Sequence, residues 1–428
     1  MYRKDIVSAI LITVVLISCV ATKENKTPSG NAFIKEKFSN SVTMLNGLLK
    51  RANTNFTVES GAYPRSIDKK GQLETTSMYD WTSGFFPGSL WYIYEYGGDD
   101  KMKAEAVKWT EKLKPLQTFT QHHDLGFMMY CSYGNAYRLT QNEEYKKILI
   151  QSAKSLSTRF NPSVGCIKSW NNFKSWHGST SYSFPVIIDN MMNLEMLFFA
   201  SKATGDTTYR HIAVTHALTT LENHFRPDYS SYHVVCYDSI TGKVVARETA
   251  QGYADNSTWS RGQAWAVYGY TMVYRETRDL RFLKMAEGLA NYFINNKTLP
   301  ADGIPWWDFN ANQPGYTPGI KSYANKITIK YRDVSAAAVT ASALLELSTY
   351  TTDRNANKYK KAAVKILHSL GSNTYRALPG TNGDFILKHS VGSIPHQAEI
   401  DVPLVYADYY FIEALLRYKK LLNNEPLF

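Results

Sequence analysis

The chain has 428 residues, of which 44% are apolar and 20% charged, an ordinary soluble composition, with 48 Lys and Arg against 37 Asp and Glu for a formal charge of +11. No block of five or more basic residues appears, which argues against nucleic acid; the surplus suits anionic polymers such as uronate or sulfated glycans, or is an incidental surface property. The four cysteines, Cys19, Cys131, Cys166 and Cys236, are irregularly spaced, which excludes a disulfide framework and a CxxC metal site and leaves room for one disulfide at most.

Arg3 and Lys4 precede an apolar run of about a dozen residues, Ile6 to Ile17, too short for the roughly 20 needed to span a bilayer. The run ends in Leu16-Ile17-Ser18-Cys19, which predicts a signal peptide over residues 1–18. A cysteine at the cut resembles a bacterial lipobox, making Cys19 the lipidated first residue of the mature chain. Residues 19–30 are polar and Pro-bearing, a flexible tether. The expected location is the bacterial cell envelope, facing the periplasm, with the lipid as the only membrane contact. Residues 31–428 read as a single domain.

Within that domain two kinds of helical segment alternate. Ile34–Ala52, Lys101–Leu116, Glu143–Phe160, Thr207–Phe225, Asp279–Asn296 and Ala356–Ser372 are amphipathic, and Asp99, Asn142, Asp206 and Asp279 are placed to cap four of them. Trp81–Tyr96, Asp124–Arg138, Asp189–Thr204, Ser260–Arg275, Asp333–Thr349 and Pro403–Leu421 are apolar or small nearly all round, with polar and aromatic residues at their N-terminal ends. A helix apolar all round is buried on both sides. The alternation predicts an all-α (α/α)6 toroid, six inner helices ringed by six outer ones, over an open solenoid of helix pairs. Strand-like alternation is confined to short stretches such as Tyr232–Tyr237. If alternate helices run the same way, all inner N-termini meet at one mouth, where their dipoles favour an anion.

The chemistry-bearing residues cluster at those N-terminal ends. Asp124 follows His122-His123; the plain alternative to a functional role is an N-cap. Asp189 is bracketed by Ile187-Ile188 and Met191-Met192, surroundings that raise a carboxyl pKa toward general-acid use; a cap or a pair with a buried Arg is the alternative. Arg261, between Trp259 and Trp265, offers a fork for a carboxylate, or forms a structural Arg–Asp pair. His233 lies in a loop between helices, and Trp81, Trp170, Trp176, Trp306 and Trp307 fall in loops or at helix starts. Zinc signatures, P-loops, GxSxG elbows and GxGxxG turns are absent, so no metal and no cofactor is expected. Acid/base chemistry by carboxylates on a sugar remains.

His123-Asp124-Leu125-Gly126-Phe127, Ile188-Asp189-Asn190-Met191-Met192, Trp259-Ser260-Arg261-Gly262-Gln263-Ala264-Trp265 and Asp408-Tyr409-Tyr410-Phe411-Ile412-Glu413-Ala414-Leu415, with Trp81 to Gly88, resemble glycoside hydrolase family 88, the unsaturated glucuronyl hydrolases. The matches run in order over essentially the whole mature chain. The resemblance implies the (α/α)6 fold and hydration of a C4=C5 double bond. The substrates it implies are oligosaccharides that lyases have cut from glycosaminoglycans, which lose the unsaturated uronate at their non-reducing end. It implies Asp189 as the acid that protonates C4 and then the base for water at C5, and Asp124 as the second acid, holding uronate hydroxyls and influencing the charge of Asp189. It further implies that His233, Gln251, Trp259, Arg261 and Trp265 contact substrate, with His123 and Trp81 beside it and Trp176 or Trp170 as a stacking wall. Unsaturated rhamnogalacturonyl hydrolases share the toroid and the aspartate acid, and a non-catalytic glycan-binding lipoprotein would use the same aromatics; the Ser-Arg-Gly-Gln-Ala-Trp segment favours the glucuronyl group. Sugar epimerases of this fold rely on paired histidines, and here His122-His123 is the only pair.

Overall fold

The computed structural model describes residues 30–54 and 62–428. The expected signal peptide, Cys19 and the tether up to residue 29 lie outside the described residues, and Gly30, assigned above to the tether, opens the first helix.

The outer helices are α1 (Gly30–Thr54), α3 (Asp100–Glu111), α5 (Glu143–Ser157), α7 (Thr207–Asn223), α9 (Leu280–Asn295) and α11 (Asp353–Leu370). Four of them begin where the capping pattern places them. The side chains of Asp99, Asn142, Asp206 and Asp279 accept the backbone N–H groups of Lys101, Glu144, Thr208 and Arg281, satisfying donors that the first turn leaves orphaned. In α11 the buried residues Tyr359, Ala363, Ile366, Leu367 and Leu370 form one stripe.

The inner helices are α2 (Phe85–Gly97), a π-helical run Gly126–Gly134 continued by α4 (Asn135–Thr140), α6 (Leu194–Thr204) behind a 3-10 turn Ile188–Asn193, α8 (Ser260–Thr277), α10 (Val334–Leu347) and α12 (Val405–Leu422). Every residue of α10 is buried, as is the unbroken stretch Ser260–Val273 of α8. Each inner helix packs on the next, and α12 packs back on α2. That contact closes the ring and decides for the toroid over the solenoid. Each outer helix lies against an inner partner: α3 on α2, α5 on the π-helical run, α7 on α6, α9 on α8, α11 on α10 and α1 on α12.

Three inner-helix openings differ from the sequence expectation. The helix expected from Trp81 begins at Phe85, the one from Asp124 is π-wound from Gly126, and the one from Asp189 starts as a 3-10 turn. At each opening the chain leaves a loop before regular α geometry begins.

A small antiparallel sheet that sequence patterning shows only in part has large consequences. Val234–Tyr237 is central, flanked by Pro185–Ile187 and Val244–Glu248, with Ile187 opposite Val234 and Pro185 opposite Cys236. A second hairpin pairs Ser390–Ser393 with Ala398–Val402. Cys131, Cys166 and Cys236 are free thiols.

Burying both faces of the inner helices forces their polar groups to satisfy one another. Glu413 of α12 accepts hydroxyl hydrogen bonds from Tyr92 of α2 (2.9 Å), Tyr268 of α8 (2.9 Å) and Ser342 of α10 (2.5 Å). Arg417, one turn on, bridges Glu346 at 3.1 Å and Glu413 at 3.5 Å. One carboxylate thus ties four inner helices together at the axis. Glu413→Ala removes the acceptor of three buried hydroxyls and one of the two carboxylates that Arg417 bridges, so its unfolding free energy should fall by about 3–5 kcal/mol; chemical denaturation of the two proteins measures this, and an unchanged midpoint would show that the knot contributes nothing.

Candidate functional site

All six inner N-terminal ends converge at one mouth. Trp81 before α2 packs on Phe127 and Tyr406, and Arg261 of α8 joins Asp333 of α10 and lies over the ring of Tyr406 of α12. An open cleft with a volume of about 860 Å³ widens above this mouth. Trp81, Trp170, Trp176, Gln251 and Tyr406 line it, so both loop tryptophans left open as stacking walls face the same space.

The carboxylates lie deeper. Neither Asp124 nor Asp189 lines the cleft wall; both are buried. Their environments push them apart. Asp189 is raised to about 7, chiefly by burial, with Arg261 pulling down and the Asp124 charge adding to the rise. Burial acts on Asp124 in the same direction, but the adjacent His123 and His122 imidazoles outweigh it and hold the carboxyl below its ordinary value. The contacts are 3.0 Å from His122 Nδ1 and 3.2 Å from His123 Nε2. Near neutral pH one carboxylate is therefore ionised and its neighbour is poised to carry a proton, the division of labour that acid/base chemistry requires. The cap alternative for Asp124 fails, since the helix it precedes has no side-chain cap.

His233 owes its place to the small sheet. The backbone N–H of Ile188 donates to His233 O at 3.1 Å, continuing the ladder that pairs Ile187 with Val234. The ring then stands with Nε2 3.7 Å from Asp189 Oδ2. Its Nδ1 accepts from the backbone N–H groups of Ala250 (3.2 Å) and Gln251 (3.1 Å), so in the neutral ring the proton sits on Nε2 and faces the carboxylate. Burial, helped by the Arg261 charge, keeps the imidazole well below its ordinary pKa. Asp189 Oδ2 and His233 Nε2 are both buried without a hydrogen-bond partner. An unpaired acceptor and donor facing one gap form a place for a substrate or water oxygen.

His123 is fully buried and neutral, its pKa lowered to about 4 by desolvation. Its Nδ1 accepts from Asn193 Nδ2 at 3.3 Å, which directs Nε2–H toward Asp124. Asn193 also takes the backbone N–H of Phe127 at 3.2 Å. This close crossing depends on Gly126, where a Cβ would lie 2.5 Å from Asn193 Cα.

Three expectations are corrected. Arg261 offers no free fork: one terminal nitrogen donates to Asp333 (2.9 Å) and the Val391 carbonyl, the other to the Gly392 carbonyl (2.7 Å). Its side chain is 1% exposed, because α10 and the hairpin after it close over the guanidinium; it supplies positive charge to Asp189 instead. Trp259 and Trp265 are 2% and 0% exposed and present no stacking face to the cleft. Trp259 lies against the His233 ring at 4.4 Å, and Trp265 fills the lumen between Phe127 and Tyr410. Trp307 is core as well. Gln251 lines the cleft as expected, its amide donating to Gly392 O at 3.2 Å.

Sequence reading missed Arg65, Tyr406 and the hairpin residues Gly392, Ser393, His396 and Glu399, all of which line the cleft. Only left-handed backbone hints at the hairpin's tension: Gln397, Glu399 and Asp401 have φ of +57°, +53° and +60°, a conformation costly for residues with a Cβ. No sequence signal marks it.

With this geometry established, comparison with known proteins decides the family. The Glycosyl Hydrolase Family 88 model matches residues 61–278. An unsaturated glucuronyl hydrolase of Formosa agariphila is 43% identical over 403 residues, 94% of each chain. The chain belongs to glycoside hydrolase family 88. An unsaturated chondroitin disaccharide hydrolase of Streptococcus pyogenes serotype M1 is 30% identical over 94% of this chain and 98% of its own. A crystal structure of an unsaturated glucuronyl hydrolase specific for heparin superposes with TM-score 0.82 at 46% identity, covering 92% of this chain and 98% of that one.

As a family 88 glycosidase the protein should show its acid in the pH profile. If protonated Asp189 is the reactive form, kcat/KM should fall about tenfold per pH unit above pH about 7, and His233 should add no inflection between pH 5 and 8. A profile that rises through pH 7 would mean that Asp189 acts in its ionised form.

Proposed function

We propose that the protein releases the 4,5-unsaturated uronic acid from the non-reducing end of glycosaminoglycan oligosaccharides already cut by a lyase. The observation that carries this reading is the buried Asp189, pushed up to about 7 beside ionised Asp124 and facing an unpaired His233 N–H. Hydrolysis by the usual pair of acids places one on each side of the glycosidic bond. Here a single carboxyl, Asp189, is poised to carry a proton beside an ionised Asp124, which suits a vinyl ether.

In this mechanism Asp189 delivers its proton to C4, and the C4=C5 pair becomes the new C–H bond while positive charge spreads over C5 and the ring oxygen. The carboxylate left behind takes a proton from the water that adds to C5, returning Asp189 to its acid form. The resulting hemiketal opens at the C5–ring-oxygen bond. The exposed hemiacetal at C1 then expels the next sugar. Asp124, acceptor-only when ionised, holds the uronate hydroxyls, and its charge keeps Asp189 protonated. His233 Nε2–H donates to the oxygen that enters the gap. Arg261 and the mouth of helix N-termini balance the substrate carboxylate electrostatically. Trp81 and Trp176 provide the faces on which sugar C–H surfaces stack.

The ultraviolet absorbance of the conjugated double bond reports the first step. It should decay with unsaturated disaccharides from chondroitin or heparin, and Asp189→Asn should lower kcat by at least about 10²–10⁴-fold with an unchanged melting transition. Full activity in a folded Asp189→Asn protein would remove the assignment. Faster decay on a pectin-derived substrate in the same panel would move the reading to the rhamnogalacturonyl class.

We further infer from the leader sequence that Cys19 carries a lipid and holds the enzyme at the periplasmic side of the cell envelope. A long-chain fatty acid label should enter the wild-type protein and not Cys19→Ser, which should shift from the membrane to the soluble fraction; equal labelling of both would rule out the anchor.

A further inference from the structure

Asp408 stands in the first turn of α12, and no step of the mechanism uses it. Its side chain is buried, and among the described residues no cation pairs with it. Backbone takes both carboxylate oxygens instead: Oδ2 accepts the N–H of Ile386 at 2.7 Å and Oδ1 that of Leu387 at 2.9 Å. Burial pushes the carboxyl up to about 8, against the pull of those two donors. Burying an acid without a cation is unfavourable. What results here is a fixed segment of chain, residues 385–393.

That segment leads from Asp408 to the guanidinium that acts on Asp189. Asp384 and His389 bracket the pinned pair with φ of +65° and +66°, left-handed backbone that a residue with a Cβ keeps only where its surroundings impose it. On one side the segment is tied to the chain before it, Ala377 N–H to Ile386 O at 2.9 Å and Lys388 N–H to Tyr375 O at 2.8 Å. Further on, His389 O accepts the N–H of Val334, the first residue of α10, at 3.2 Å. Val391 O and Gly392 O then accept from the two terminal nitrogens of Arg261. With Arg261 Nε buried and unpartnered, these carbonyls join Asp333 and Ser335 in setting the plane of the guanidinium. Arg261 is thereby paired with Asp333 and not with Asp189, on which it acts through space.

We propose that Asp408 is a positioning residue for the hydration step, pinning residues 385–393 so that their carbonyls hold Arg261 clear of Asp189. This rests on the functional reading of the preceding section. Release of Ile386 and Leu387 frees the segment to move off α8 and α10. Arg261 then loses two acceptors and can turn to another carboxylate, and water enters where the carbonyls sealed the guanidinium. Both changes favour ionised Asp189: a direct cation stabilises its charge, and water relieves the desolvation that opposes it. The charged and titratable groups that face Asp189 are Arg261 from α8, Asp124 beside the π-helical run and His233 from the small sheet. Those that face Arg261 are Asp333, Glu399 and Tyr406, besides Asp189 itself. Of the groups that act on Asp189, Arg261 is the one that the pinned segment holds.

Asp408→Asn keeps the size of the side chain but turns a donor toward one backbone N–H, and Asp408→Ala removes both acceptors. In Asp408→Asn the high-pH limb of kcat/KM should move down by about one pH unit. The loss is then roughly fivefold at pH 7, close to about tenfold at pH 8 and less than about twofold at pH 5. Asp408→Ala, if it folds, should move the limb at least as far. A loss of equal size at pH 5 and pH 8, with the limb unmoved, is what a structural role alone gives and overturns the proposal. Glu413→Ala, which loosens the barrel axis rather than this segment, is the control: it should lower the denaturation midpoint and leave the limb in place, and an equal shift there overturns the proposal. The carboxyl band of Asp189 in infrared difference spectra, assigned by its loss in Asp189→Asn, reads the same titration without turnover. Its midpoint should fall in Asp408→Asn, and an unchanged midpoint overturns the proposal. Absence of turnover in the wild type would instead count against the functional reading, with the infrared comparison still deciding the role of Asp408.

Discussion

The structure depends on one constraint: a helix buried on both faces can carry a charge only if another buried helix answers it. Most charges of the inner ring obey this; Asp408 of α12 is an exception, held only by the backbone N–H groups of Ile386 and Leu387 and raised by burial to about 8. Away from the cleft, Glu413, Arg417, Glu346, Arg275 and Glu195 link four of the inner helices in a connected chain of ion pairs. At the mouth, Arg261 is answered by Asp333 across α8 and α10. Asp189, at the mouth, is also left short, since its Oδ2 is buried without a hydrogen-bond partner. Desolvation left standing there becomes a proton held near neutral pH, next to the cleft rather than in the core.

Seen this way, the second ring of residues around Asp189 has a common purpose. Arg261 is sealed by Asp333 and two carbonyls, so its charge lowers Asp189 without discharging it as a direct ion pair would. Backbone N–H groups fix the His233 tautomer, so its donor faces the carboxylate at any pH near neutral. Asn193 does the same for His123 on the other side of Asp124. These are rigid supports that hold dipoles in place before substrate arrives, where electrostatic stabilisation is most effective.

The openness of the cleft contrasts with that rigidity. Its walls come from loops and hairpins joined to the barrel at a few points, such as the Trp176 indole on Ala250 and the Gln251 amide on Gly392. A scaffold of this kind conserves the chemistry in the helix ends and leaves the reach of the cleft to the connections.

The sequence alone determined the class of fold, because both-face burial and one-face burial leave different residue patterns: Val334 to Leu347 carries a single charge, while Asp353 to Leu370 carries charge along one face. It also marked the two aspartates as candidates and placed the caps, since each depends on neighbours within a few residues. Ring closure was beyond it, because the packing of α12 on α2 joins segments more than 300 residues apart. So was the outcome at Arg261, Trp259 and Trp265. A short motif shows that a guanidinium and two indoles stand at a helix start, but whether they face substrate or protein depends on Asp333 and the hairpin at 390–402, which arrive from elsewhere in the chain. The hairpin itself leaves no sequence mark, since its left-handed residues are imposed by what they pack against. Local chemistry was legible in the sequence; tertiary structure decided which of those groups are left unsatisfied, and that lack of a partner is what makes Asp189 an acid.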